Sequence, residues 1–329
     1  MTVYLLLGVA SFILTLLLTP LVGRGSTRLG LVDAPGGRKV HAQSVPRLGG
    51  LAVCVSSVAA LALVSVLRPG TIDTPIWAAM RPFLTAGGII FLVGLVDDIR
   101  GVGAGAKLLV EFAAAALLMS SGLLIENVTL LGETYPLGWL AWPITFTWLV
   151  GLTNAFNLID GIDGLAAGVA VLAGAACGTI LVVRGHVPEA MLLSALVGAA
   201  LGFLLFNFTP ASIFLGDSGS LVIGFMLAGT AITGWQKGAT AMAAGVPLMI
   251  FALPIADSAL ALFRRSVATP SDGRSLRATL QRIARPDRDH IHHRLLALGW
   301  SVRRTVLVLY GLTLVLSLLA LATAEVGAH

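Results

Sequence analysis

Ten apolar runs dominate this chain, near residues 2–22, 49–67, 82–97, 107–125, 138–155, 164–183, 189–208, 219–234, 240–262 and 304–323. Runs of about 17–25 apolar residues match the length an α-helix needs to cross the hydrocarbon of a bilayer. There every backbone donor and acceptor must be satisfied within the segment, which a helix achieves. The chain therefore reads as an all-α polytopic integral membrane protein with about ten transmembrane helices. A mean hydropathy of +0.94 with 11% charged residues excludes an ordinary soluble protein. No soluble domain or long polar linker interrupts the series, so residues 1–329 are expected to form a single integral-membrane domain. The first run has no basic residue before it and no obvious small-residue cleavage site, and reads as a retained helix rather than a signal peptide. Cys54 and Cys177 fall far apart in apolar runs and are expected to be buried free thiols.

Charge fixes the expected orientation. Assigning loops alternately to the two faces puts seventeen of the 21 Lys and Arg residues on one side, which the positive-inside rule makes cytoplasmic. Both termini are then extracytoplasmic. The pI of 9.8 reflects this asymmetry, and no nucleic-acid-binding pattern accompanies it, so no nucleic-acid partner is expected. Ten of the eleven aspartates fall on the same basic side. Each carboxylate beside a bilayer carries a desolvation cost. A shared site for a divalent metal and phosphates, on the cytoplasmic face, would offset it.

The basic side holds five motifs. The first loop carries Asp33, His41 and Arg47 among Pro and Gly, a structured turn whose positive rim suits anionic substrates. The third run ends in Asp97-Asp98, adjacent carboxylates at the negative end of a helix dipole. Arg100, Lys107 or a hard cation such as Mg²⁺ must compensate them. The fifth run ends with Asn154, Asn157, Asp160 and Asp163, polar groups every third residue, interleaved with Gly161 and Gly164. This is the strongest motif of the chain, because a purely structural helix end needs no such density of amides and carboxylates.

The seventh run leads through Asn207 and Phe214 to Gly216-Asp217-Ser218-Gly219-Ser220 at the start of another run. Asp217 is either the N-cap of that helix or a metal ligand beside a phosphate held at the helix N-terminus. Phe214 is either an interface aromatic or a face on which a base stacks. The last loop, Arg-rich, contains Asp289-His290-Ile291-His292-His293-Arg294. Its histidines and arginines fit phosphate binding better than a zinc site, which wants further ligands at close spacing.

Taken together, these motifs resemble the polyprenyl-phosphate N-acetylhexosamine-1-phosphate transferases, over nearly the whole chain and in the family's order. The segments 154–165, 214–220 and 289–295 carry the resemblance most specifically, and the last is similar to the branch that uses UDP-GlcNAc. The resemblance implies Mg²⁺, with Mn²⁺ able to substitute, held by Asp217 with Asn157 as second ligand. It implies Asp97 as the base, with Asp98 near the lipid phosphate, and Asp160 and Asp163 as the second acidic motif at nucleotide and catalytic groups. Asn154, Asn207, Phe214, Lys107, His41, Arg47, His290, His292, His293 and Arg294 are the expected substrate-binding set. Some members carry Lys three residues after the second Asp where this chain has Gly101, so that role falls to Arg100 or Lys107, or is not needed here.

The implied reaction moves N-acetylglucosamine-1-phosphate from UDP-GlcNAc to undecaprenyl phosphate, releasing UMP and starting a cell-envelope polysaccharide. Its partners are the UDP-N-acetylhexosamine, undecaprenyl phosphate, membrane lipid and, by analogy, a second copy in a homodimer. Its place is the bacterial inner (plasma) membrane, as a multi-pass protein. Attack can be direct or pass through an aspartyl-phosphate, and direct displacement is favoured because lipid phosphate is already an adequate nucleophile. Two other readings stand beside this one. A CDP-alcohol phosphotransferase would need an Arg where Ala167 stands, and a transporter would place ionisable groups near mid-bilayer.

Overall fold

The computed structural model describes residues 1–33, 44–130, 133–236, 245–267 and 290–326. Eight helices follow the first eight apolar runs: α1 (Thr2–Arg28), α2 (Gly49–Leu67), α3 (Thr74–Arg100), α4 (Ala104–Ser120), α5 (Ala141–Ile159), α6 (Leu165–Val183), α7 (Val187–Asn207) and α8 (Asp217–Gln236). The ninth run is split into α9 (Gly245–Ile250) and α10 (Ala252–Val267). The break falls at Phe251 because Pro254 has no N–H to offer the Ile250 carbonyl. A short α11 (Ile291–Ala297) precedes the last helix, α12 (Val302–Val326).

Six of these helices, α1, α2, α3, α6, α7 and α12, are long and apolar enough to cross a membrane, among the described residues. Ten spans were expected, and the difference has local causes. α4 is only 17 residues long, α5 carries Asn154 and Asn157 with several Thr and Trp, and α8 opens on Asp217-Ser218-Gly219-Ser220. The predominantly helical, multi-pass character of the chain stands. Two small ribbons depart from an all-α reading: β1 (Val32–Asp33) pairs antiparallel with β2 (Val45–Pro46), and β3 (Asn127–Leu130) with β4 (Glu133–Pro136).

Helix α8 packs against α2, α3, α5, α6 and α7. The core around it holds the fully buried Phe156, Phe203 and Phe225. Phe251, at the break between α9 and α10, is also fully buried and meets Trp148 and Phe156 of α5 edge-on at 6.1 and 6.3 Å. The outer face of α1 shows Leu5, Val9, Ile13, Leu17 and Leu21, exposed at a four-residue spacing that suits contact with lipid. Cys177 is buried as expected, whereas Cys54 is only half-buried and directs its Sγ at the Ser218 carbonyl, 3.8 Å away.

Small residues bring helix backbones together where the site forms. A Cβ on Gly50 of α2 would lie 2.1 Å from the Gly219 backbone nitrogen, and one on Gly94 of α3 would lie 2.7 Å from Asp217 backbone atoms. The C-terminal ends of α3 and α5 thus meet the N-terminal ends of α4 and α8 at one end of the bundle. Replacing Gly50 with Val forces α2 off α8, and overpacking of this kind costs about 1–3 kcal/mol. Thermal unfolding in detergent is expected to show Gly50→Val clearly less stable than wild type, while Gly105→Val on α4, where no atom stands within 4 Å of the built Cβ, stays near wild type.

Candidate active site

The start of α8 is held by one carboxylate. Asp98, 6% exposed near the end of α3, accepts the Asp217 N–H at 2.8 Å, the Ser218 N–H at 3.0 Å and the Ser218 hydroxyl at 2.6 Å. The first N–H groups of a helix have no partners within it and carry its positive dipole end, so a buried carboxylate is at home there. Gly216, just before the helix, sits at φ +75° with Asp98 so close that a Cβ would come within 2.7 Å of its oxygens. Asp98 is therefore the N-terminal cap of α8, supplied from another helix.

Its neighbour Asp97 meets α8 through a cation. Lys107 Nζ of α4 lies 2.6 Å from Asp217 Oδ2 and 3.3 Å from Asp97 Oδ2, and all three side chains are roughly one-fifth exposed. Lys107 thus bridges the Asp97 and Asp217 carboxylates, and Asn157 of α5 donates its Nδ2 to the Ser220 hydroxyl at 3.0 Å, three residues after Asp217. Asp97 Oδ1 also accepts the Val102 N–H at 2.5 Å, which fixes its rotamer at the end of α3. Glu111, one turn along α4 from Lys107 and 1% exposed, takes the Asn154 amide as its partner.

The turn after α5 brings in the next carboxylates. Asp160 accepts a backbone hydrogen bond from Gly216; burial first, then the charges of Asp217 and Asp98, push its pKa well above the usual carboxylate range. Asp163 Oδ2 accepts the Ala211 N–H at 3.0 Å. Asn207 clasps this turn to the loop before α8, its Oδ1 accepting the Gly164 N–H at 3.1 Å and its Nδ2 donating to the Ile213 carbonyl at 2.9 Å. Tyr310 of α12 donates to the Gly164 carbonyl at 2.5 Å from the other side.

These groups enclose a cavity of about 390 Å³ lined by Asp97, Asp98, Asp160, Asp163 and Asp217, with Asp33, Arg47, Asn207, Phe214, His293 and Val302 around them. The β1–β2 ribbon sets Asp33 and Arg47 at one wall. Phe214 is stitched to the same wall, donating its N–H to the Pro46 carbonyl at 2.8 Å and accepting from Gly49 at 2.9 Å. His293 lines the cavity as well, and beside it His292 packs against Gly161 of the acidic turn. Six carboxylates, Asp33 among them, with the cations of Lys107 and Arg47 leave the cavity rich in hard oxygen donors, the chemistry that holds Mg²⁺. Among the described residues no three His, Cys, Asp or Glu side chains are already drawn into a chelate. Mg²⁺ commonly takes only one or two carboxylates and completes its shell with water and substrate phosphates, so Asp217 with Asn157 fits that pattern.

Glycosyl transferase family 4 matches residues 80–235, the stretch from α3 to α8 that supplies Asp97 through Asp217. The chain is 37% identical over 317 residues to the probable undecaprenyl-phosphate N-acetylglucosaminyl 1-phosphate transferase of Bacillus subtilis (strain 168), covering 95% of this chain and 83% of that one. It is 35% identical over 335 residues to the decaprenyl-phosphate N-acetylglucosaminephosphotransferase of Mycobacterium tuberculosis (strain H37Rv), covering 93% and 78%. Against the undecaprenyl-phosphate alpha-N-acetylglucosaminyl 1-phosphate transferase of Escherichia coli (strain K12) the identity is 27% over 319 residues, covering 95% and 81%. The chain belongs to the polyprenyl-phosphate N-acetylhexosamine-1-phosphate transferase family. It is an enzyme of the sugar-1-phosphate transferase kind, which sets aside the transporter and CDP-alcohol readings.

Within this transferase the residues singled out from sequence divide by position. Asp97, Asp98, Asp160, Asp163, Asp217, Asn207, Phe214, Arg47 and His293 line one cavity. Lys107 and Asn157 stand behind it, Lys107 bound to Asp217 and Asn157 to the Ser220 hydroxyl three residues further along α8, while Arg100 is exposed. Asn154 does not line the cavity; it lies a turn deeper in the bundle, where its amide serves Glu111 and the Val150 carbonyl. His290 and His292 are buried beside the cavity rather than in it, and Arg294 is exposed on the outer side of α11. His41 lies outside the described residues. Two buried carboxylates escaped the sequence reading, Glu111 and Asp257, each a lone acid inside an otherwise apolar run. That isolation was the available signal.

His292 gives a pH test of this arrangement. Burial, then the charge of His293, lower its pKa from 6.5 to about 4. The unfolded chain binds this proton more readily, so the contribution of neutral His292 is complete above about 6.5 and is lost as pH falls toward about 4. The thermal midpoint is expected to drop between pH 7 and pH 5, and His292→Gln is expected to flatten that slope.

Proposed function

We propose that the whole chain, residues 1–329, acts as one Mg²⁺-dependent transferase domain in the bacterial inner membrane. It moves N-acetylglucosamine-1-phosphate from UDP-GlcNAc to undecaprenyl phosphate and releases UMP. The product, undecaprenyl-diphospho-GlcNAc, opens a cell-envelope polysaccharide such as an O-antigen or a teichoic acid. One observation carries this reading: Asp97 and Asp217, from helices distant in sequence, face each other across Lys107 beside a cavity walled by further carboxylates, Arg47, Phe214 and His293. The names of the relatives in B. subtilis, M. tuberculosis and E. coli support the sugar and the polyprenyl phosphate.

In this reaction an oxygen of the lipid phosphate bonds to the β-phosphorus of the donor. The bond from that phosphorus to the bridging oxygen breaks, and UMP leaves with the electron pair. Asp97 takes the proton from a protonated lipid phosphate, and Asp98 keeps the start of α8 in place while it does so. Asp217 and Asn157 would hold Mg²⁺, which supplies charge neutralisation where two anions must meet. Lys107 orients Asp97 and Asp217 toward each other, and Arg47 and His293 face the phosphates. Phe214 offers its ring to the uracil, and Asp160 and Asp163 shape the nucleotide side.

Purified protein is expected to release UMP from UDP-GlcNAc and undecaprenyl phosphate with Mg²⁺, to stop in EDTA, and to resume with Mn²⁺. Asp217→Asn is expected to lower kcat by about 10²–10³-fold. Release from a different UDP-N-acetylhexosamine alone would keep the chemistry and replace the donor. Silence with every UDP-sugar, from a folded preparation, would overturn the proposal. A donor chiral at the β-phosphorus, made as a phosphorothioate, is expected to react with inversion; retention would establish an aspartyl-phosphate intermediate instead.

A further inference from the structure

The histidines of the last loop form a stack anchored at one end. Asp257 of α10 is 1% exposed and uses both carboxylate oxygens on this segment: Oδ2 lies 2.7 Å from His290 Nδ1, and Oδ1 accepts the Ile291 N–H at 2.6 Å. An ionised carboxylate has no proton to give, so the His290 ring donates from Nδ1 and its tautomer is set. His290 is itself 4% exposed and lies parallel to His292, with ring centroids 5.7 Å apart and planes 6° from coplanar. His292, 1% exposed, seats its Nε2 against Gly161, where a Cβ would come within 2.7 Å, and among the described residues that nitrogen has no hydrogen-bond partner. His293 follows at 4.3 Å from His292 and is the member of the three that lines the cavity.

A carboxylate this deep is costly unless it is bonded at both oxygens. Its two bonds both go to the residues that open α11, 33 and 34 positions away in sequence. The arrangement spans three layers: α10 holds His290, His290 backs His292, and His292 rests on the acidic turn.

We infer that Asp257 is a positioning residue that, through His290, places His293 at the donor phosphates, so that of the three histidines His293 alone touches substrate. The identity of that substrate rests on the reaction proposed above. His290 and His292 are then part of the scaffold, and their imidazoles matter through packing and tautomer.

The test compares Asp257→Asn, His293→Gln and the double variant in steady-state UMP release. Asp257→Asn keeps the side chain's size but weakens the bond to His290. It is expected to lower kcat/KM for the UDP-sugar by roughly 10- to 100-fold, the scale of one charge-assisted hydrogen bond. Because it acts through His293, the double variant is expected to be no slower than His293→Gln alone. Additive losses, or an Asp257→Asn rate within twofold of wild type, would overturn the inference. Should Asp257→Asn fail to fold, His290→Gln paired with His293→Gln is expected to give the same non-additivity, and additivity there would overturn it equally. In ¹⁵N-histidine spectra of the wild-type protein, a protonated His290 Nδ1 is expected that Asp257→Asn abolishes or shifts and His293→Gln leaves in place. Its absence in wild type would overturn the inference even if the protein used no UDP-sugar, an outcome that would separately refute the proposed reaction.

Discussion

Five carboxylates gathered at one end of an apolar helix bundle would repel one another and resist desolvation, and the rest of the site follows from how that charge is held. Asp98 is absorbed by the free N–H groups of α8, which also fixes where that helix begins. Asp97 and Asp217 are bridged by Lys107 from a third helix. Asp163 is taken up by a loop N–H, and Asp160 lies where burial and its neighbours favour the protonated form. Each solution joins two elements distant in the chain, so the same bonds that make the charge tolerable assemble the cavity. Close backbone approach at Gly50 and Gly94 is the steric condition for it, because side chains there would hold α2 and α3 away from α8.

The cavity has chemically distinct walls. Asp97 and Asp217, with Lys107 behind them, form the acidic side where phosphates and a hard cation would meet. Arg47 and Phe214 stand together on the wall built by the β1–β2 ribbon and the start of α2, a cation beside an aromatic face. His293 closes the side contributed by the last loop, backed by the buried imidazoles and Asp257. Members of the transferase family to which the chain belongs must bring a water-soluble donor and a lipid acceptor to one phosphorus, and a polar cavity at the end of an apolar bundle suits that task.

Much of this could be read from sequence, because carboxylates and amides are conspicuous in apolar surroundings. The helices from α1 to α8 follow hydropathy closely, and Asp97, Asp98, Asp160, Asp163 and Asp217 stand out by type and spacing. Other features were hidden for physical reasons. Asn154 and Asn157 share one motif, yet one turn of helix separates an amide facing Glu111 from one facing Ser220 in the first turn of α8. Asn207 reads as a ligand by type, while tertiary contacts engage both ends of its amide. Span counting fails where site residues dilute hydropathy, as in α5 and α8. The ribbons are too short for a periodicity to register, and the partnership of Asp257 with His290 joins residues whose separation in sequence carries no pattern.

The most direct measurement is an electron cryomicroscopy structure of the protein in nanodiscs with UDP-GlcNAc and Mg²⁺. The account predicts the metal on Asp217, the uracil against Phe214 and His293 at the diphosphate, with Asp97 left facing the lipid phosphate. A donor bound away from the Asp97–Asp217 junction, or a metal held by none of these carboxylates, would contradict it.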